Sequence, residues 1–244
     1  ILFESAKISR RRGDYASAIA TLQNISIQHL HPRLLQSFYY ERATVYDRLG
    51  KYSEAFVDFK QGNDLAGTSI RAHNTNKTAL PRQMDAIKQW LQRGAPTSSS
   101  DADEDLGSDL CFLIGFPRSG TTLLDVMLDG HSHVLSLEEK PTIERIAFML
   151  DQMPGHYPDA MAALTREQRH MLRNKYRESI ASYRTLEHTL VIDKMPIRTI
   201  HTSFMHRLFP KAKFLFAERH PCDVVLSNFM QHYAINEAMI HFTQ

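Results

Sequence analysis

The apolar run Leu110-Cys111-Phe112-Leu113-Ile114 opens directly into Gly115-Phe116-Pro117-Arg118-Ser119-Gly120-Thr121-Thr122. No other stretch constrains the fold as strongly. Five consecutive apolar residues suit a strand buried on both faces, as in parallel sheets. The glycines after it let backbone N–H groups close around an anion at a helix N-terminus, where the macrodipole adds to the attraction. The string follows the phosphate-binding pattern G-x-x-x-x-G-K-[ST], except that Thr121 stands in the lysine position. That lysine serves the β- and γ-phosphates of a nucleoside triphosphate. A loop that keeps the cradle, lacks the lysine and carries Arg118 suits a different anion, and a sulfonate or phosphosulfate fits.

A second strand-to-helix exit follows. Lys213-Phe214-Leu215-Phe216-Ala217 reads as a buried parallel strand, and Glu218-Arg219-His220-Pro221 leads from it into a helix over residues 222–230. Pro221 suits the first helical position. Arg219 therefore sits at the carboxyl end of a strand and beside a helix N-terminus, both of which favour anions. Ser227 lies further along that helix and can offer a hydroxyl to the same anion. Leu190-Val191-Ile192-Asp193 is another short strand, with Lys194-Met195-Pro196 leaving its end. Ser136-Leu137-Glu138-Glu139-Lys140-Pro141 follows the strand-like His133-Val134-Leu135.

Pro117-Arg118-Ser119-Gly120-Thr121-Thr122, followed by Leu123-Leu124 and Leu128-Asp129-Gly130-His131, resembles the donor loop of sulfotransferases that use 3′-phosphoadenosine 5′-phosphosulfate (PAPS). The nearest branch contains tyrosylprotein sulfotransferases and bacterial sulfotransferases with tetratricopeptide repeats. The resemblance spans about residues 110–232 in register. His131 matches a histidine common at that place in the family, whereas Ser132 replaces the usual proline. The resemblance implies that residues 117–122 bind the donor, that Arg219 and Ser227 hold its 3′-phosphate, that Lys194 reaches the transferred sulfonate and that Glu139 is the catalytic base. It also implies a nucleotide-kinase-like core that continues past Gln244.

Sulfuryl transfer needs these residue types. Charge spreads over three oxygens in the transition state, and catalysis is mostly positioning and electrostatic stabilisation, as in phosphoryl transfer. Arg118 and Lys194 supply positive charge, and a carboxylate such as Glu139 can take the acceptor proton. No metal is required: His29-x-His31 and His131-x-His133 lack the neighbouring cysteines or carboxylates of a ligand set. Two other classes stay open, a degenerate P-loop nucleotide kinase and an inactive scaffold that binds partners. The absent loop lysine argues against the first, and Glu139 against the second. The acceptor can be a protein, a glycan or a small molecule.

Net charge is only +2, so no bulk attraction to nucleic acid is expected. There is no apolar run of membrane-spanning length. The two cysteines, Cys111 in a buried strand and Cys222 at a helix start, suit a reducing compartment and a cytoplasmic location.

The N-terminal third is organised differently. Ala6, Gly13, Asp14-Tyr15, Ala18 and Leu22 recur as Ala43, Gly50, Lys51-Tyr52, Ala55 and Phe59, at an offset of 37. That is close to the 34-residue tetratricopeptide period. Residues 1–92 are thus expected to form a helical repeat domain, able to bind acceptor or partner proteins, with more repeats before Ile1 and a capping helix near 83–92. Arg93 to Ser108 is acidic and serine-rich, which suits a solvated linker. Residues 109–244 alternate strand and helix, with a capping box at Thr165-Arg166-Glu167-Gln168. The expected fold is α/β: a P-loop nucleotide-kinase-like parallel sheet with helices on both faces, preceded by the all-α repeat segment. Both ends look truncated.

Overall fold

A computed structural model describes residues 1–94 and 106–243. The chain gathers into two compact units, Ile1–Pro81 with Val225–Gln244, and Arg82–Val224. Of the expected linker, residues 95–105 lie outside the described residues.

The first unit is helical. α1 (Leu2–Arg11) and α2 (Tyr15–Gln23) form one hairpin, α3 (Pro32–Arg48) and α4 (Tyr52–Gly67) a second, and the short α5 (Ile70–His73) follows. The repeated positions do the same work in both hairpins. Ala6 and Ala43, Ala18 and Ala55, and Leu22 and Phe59 are all buried, and Gly13 and Gly50 both have positive φ, +80° and +72°. Asp14 caps α2 by accepting from the Ser17 N–H. Residues of the C-terminal stretch complete this unit. Phe229 and Met230 pack on Tyr40, Ala43, Ala55 and Phe59, and Ile235 and Ile240 on Ala66 and Ala72.

α6 (Ala79–Gln92) was expected to cap the helical array, and the structure corrects this. From Arg82 onward it belongs to the second unit, whose core buries Trp90. Ile87 and Trp90 are its buried residues. That i, i+3 stripe, rather than position in the chain, decides what the helix covers.

The second unit is built on four parallel strands, β1 (Leu110–Gly115), β2 (Val134–Glu138), β3 (Leu190–Lys194) and β4 (Lys213–Ala217), in the order β2-β3-β1-β4. Strand β1 is buried along its whole length. Side chains alternate across it. Leu110, Phe112 and Ile114 join the main core, while Cys111 and Leu113 face a smaller cluster. Helix α7 (Thr121–Asp129) covers the smaller side through Leu124 and Leu128. The main core is closed by α8 (Thr142–Asp151), α9 (Ala160–Ala163), α10 (Arg166–Ala181) and α11 (Thr202–Leu208). α10 opens with both halves of the Thr165–Gln168 capping box. Helix α12 (Pro221–Phe229) follows β4.

Candidate active site

Parallel strands deliver their carboxyl ends to one edge of the sheet, where open α/β folds bind ligands. Four exits meet at this edge. The loop 115–120 leaves β1, Lys194 ends β3, Glu138 ends β2 with Glu139 just beyond, and Arg219 follows β4. The register pairs Leu113 and Glu138 with Lys194, and Gly115 with Ala217.

The loop is tightly determined. A Cβ on Gly115 would lie 2.8 Å from both the Ala217 carbonyl oxygen and Ser119 Oγ, so only glycine allows this approach. Gly115 N–H donates to Thr199 Oγ1 (3.1 Å), and that hydroxyl donates to the Gly115 carbonyl (2.7 Å). Ser119 N–H closes the turn on the Phe116 carbonyl at 3.0 Å. Gly120, at φ +100°, is the N-cap of α7. The next three amides, of Thr121, Thr122 and Leu123, have no acceptor within the helix. Pro117 and Thr121 are buried, and Arg118 and Thr122 are exposed. Ser119 Oγ is buried and has no hydrogen-bond partner among the described residues. A buried unpaired hydroxyl beside free helix-start amides suits an anion with several acceptor oxygens.

Lys194 is fully buried, and its Nζ lies 3.1 Å from Glu138 Oε1 and 3.0 Å from Glu139 Oε1. The Glu139 N–H donates to the Lys194 carbonyl at 2.9 Å. Glu139 has φ +50°, a left-handed backbone that a non-glycine residue seldom adopts. Arg219 Nη1 donates to the Arg118 carbonyl (3.3 Å), and its Nε lies 3.7 Å from the Asp223 carboxylate. The edge thus brings together the loop, Lys194, Glu139 and Arg219. Ser227 is half-buried on the part of α12 that belongs to the first unit.

Sequence reasoning missed a polar network beneath this edge. Asp193 Oδ2 accepts from Thr142 Oγ1 (2.6 Å) and from Tyr176 OH (3.0 Å), while Asp193 Oδ1 lies 2.6 Å from Arg198 Nη1. Arg198 is fully buried and forks onto Glu144 at 3.0 and 2.9 Å. Burial alone would lower its pKa, but the Asp193 and Glu144 charges outweigh that and raise it. Burial, then the Asp193 charge, raises the Tyr176 phenol well above its usual range. One signal was available: an aspartate inside an apolar strand demands a buried partner. Among the described residues, no group of three or more His, Cys, Asp or Glu side chains is placed to hold a metal.

The sequence profile of the sulfotransferase family matches residues 111–243. The chain is also similar to an uncharacterized protein of Aquifex aeolicus (strain VF5), 28% identical over 211 residues, which is 81% of this chain and 26% of that protein. It is similar to the protein-tyrosine sulfotransferase of Drosophila melanogaster, 32% identical over 118 residues, 45% of this chain and 23% of that protein. The chain spans about a quarter of the length of these relatives. The profile covers more than half of the chain, including the four strands except Leu110 and every exit at the carboxyl edge of the sheet, and on that match the chain belongs to the sulfotransferase family.

Proposed function

We propose that the protein transfers a sulfuryl group from PAPS to an acceptor hydroxyl at the carboxyl edge of the sheet. One observation carries the reading. A buried ammonium, Lys194 Nζ, ends the strand that pairs with β1 and its phosphate-type loop without a lysine, and it is shared by two glutamates at the end of β2. The loop amides, Ser119 Oγ, Arg118 and Lys194 would hold the phosphosulfate. Arg219 would recognise the 3′-phosphate, a role that the family resemblance also implies for Ser227. The acceptor oxygen attacks sulfur, the bond from sulfur to the 5′-phosphate oxygen breaks, and 3′,5′-bisphosphoadenosine leaves. The acceptor proton passes to Glu139. Lys194 and the loop amides stabilise the charge that develops on the transferring and leaving oxygens. Because the Drosophila relative is named a protein-tyrosine sulfotransferase, a tyrosine hydroxyl is the first acceptor to test. The hairpins at offset 37 are read as tetratricopeptide repeats, which bind partners on a concave face.

Two measurements test the reading. Turnover of PAPS should survive EDTA, because fixed protein cations do the work that Mg²⁺ does in a kinase. Phosphoryl transfer from ATP with a strict Mg²⁺ requirement would instead make the chain a nucleotide kinase. Bisphosphoadenosine should raise the melting temperature, as any ligand preferring the folded state does. Arg219→Ala should weaken this ligand about 10–100-fold, the worth of a charged hydrogen-bond partner, and leave 5′-AMP binding almost unchanged. Equal losses for both nucleotides would remove the 3′-phosphate assignment.

A further inference from the structure

We propose that Arg198 is a positioning residue that holds Glu139 in its left-handed turn, with the carboxylate kept beside Lys194; the catalytic consequence rests on the sulfuryl-transfer reading above. A positive φ on glutamate costs free energy and persists only where surrounding contacts over-determine it. Three tethers fix this turn. The Glu139 N–H is held by the Lys194 carbonyl at 2.9 Å. The Lys140 carbonyl accepts from Arg198 Nη2 at 2.8 Å. Thr142 Oγ1 donates to Asp193 Oδ2 at 2.6 Å.

Arg198 serves two of the three. It binds the Lys140 carbonyl directly, and its Nη1 forms an ion pair, 2.6 Å long and without hydrogen-bond geometry, with Oδ1 of the Asp193 carboxylate that takes Thr142. Its Nε and Nη2 also grip Glu144 in the first turn of α8. One planar guanidinium therefore ties the start of α8, the turn before it and the end of β3 into one body. A lysine has a point charge and no fork, so it cannot replace these bonds together.

The test compares the full-length protein with its Arg198→Lys variant. Amide hydrogen exchange of Glu139 and Thr142 should accelerate by about tenfold or more, while Phe112 to Ile114 keep their protection. With PAPS as donor and N-acetyltyrosinamide as acceptor probe, kcat should fall about 10²-fold, the scale of a misplaced group. Bisphosphoadenosine affinity should stay unchanged. In a Glu139→Gln background the same substitution should cost nothing further, because its effect runs through that carboxylate. Glu144→Gln should move the same two amides more mildly, and it replaces Arg198→Lys if that variant does not fold. Uniform acceleration of exchange, or a full additive penalty in the Glu139→Gln background, overturns the proposal. If the wild type does not turn over, or Glu139→Gln is harmless, the base assignment fails instead, and the exchange pattern alone decides whether Arg198 holds the turn.

Discussion

Lys194 is the residue on which the edge depends. Removing an ammonium from water costs several kcal/mol unless opposite charge and hydrogen bonds replace the lost hydration. Lys194 is fully buried, yet its two carboxylate partners remain 62% and 56% exposed at the side chain. The positive charge is thus held inside while both glutamates face solvent. If Glu139 removes the acceptor proton, Glu139→Gln keeps size and hydrogen bonding but loses the base. Glu138 still neutralises the ammonium, so folding should hold. Turnover should fall roughly 10²–10⁴-fold, the usual worth of general-base catalysis, with bisphosphoadenosine affinity almost constant. Glu138→Gln should cost far less. Steady-state kinetics on the two variants decide the matter: a damaging Glu138→Gln beside a mild Glu139→Gln would shift the base by one position.

At the scale of elements, β1 was legible because a strand buried on both faces reads as an unbroken apolar run; Lys213–Ala217 reads the same way, yet it forms the edge strand β4, where Leu215 and Phe216 are exposed. The loop was legible because its glycines have a steric reason. The 3₁₀ turn Pro196–His201 was not, although it carries Arg198 and Thr199, which support the edge, and the buried His201. Arg198, Thr199 and His201 are polar, and polar residues after a strand read as surface when their partners lie 44 to 84 positions away. His201 shows the cost of such burial. Its Nδ1 is 2.8 Å from Tyr157 OH, whose own pKa is raised by burial, so the phenol donates and the imidazole accepts. Burial lowers the His201 pKa from 6.5 to about 4. Between those values the unfolded chain binds a proton that the folded protein refuses. The contribution is therefore complete above pH 6.5 and is lost as pH falls toward 4, about 3 kcal/mol in all. His201→Gln, which can still accept from Tyr157, should flatten this part of the stability profile. Denaturant titrations at pH 7 and 4.5 measure it, and equal pH dependence in both proteins would show that His201 is not the group responsible.

At the scale of the whole molecule, the two helical hairpins were legible because alanines and glycines recur at a fixed offset. That the first unit is completed by residues 225–243 was not legible, since pairing across such a separation leaves no local periodicity. Its contacts are specific. Phe229 stacks on Phe56 with centroids 5.3 Å apart, and His232 lies flat on Tyr40 at 4.7 Å. Buried Asn63 accepts from Tyr40 OH (2.5 Å) and donates to the Phe229 carbonyl (2.9 Å). Ile235 and Ile240, both buried, cover Ala66 and Ala72. Each fully buried aliphatic or aromatic side chain is worth about 1.5–3 kcal/mol, and part of that is offset by ordering the segment. The two hairpins alone should therefore be only marginally stable. A fragment of residues 1–81 should melt at least about 10 °C below the same fragment joined by a flexible linker to residues 225–243. Circular dichroism against temperature makes the comparison, with Phe229→Ala in the joined form giving an intermediate midpoint. Identical midpoints for the two fragments would mean that the hairpins are self-sufficient and that the returning segment only rests on them.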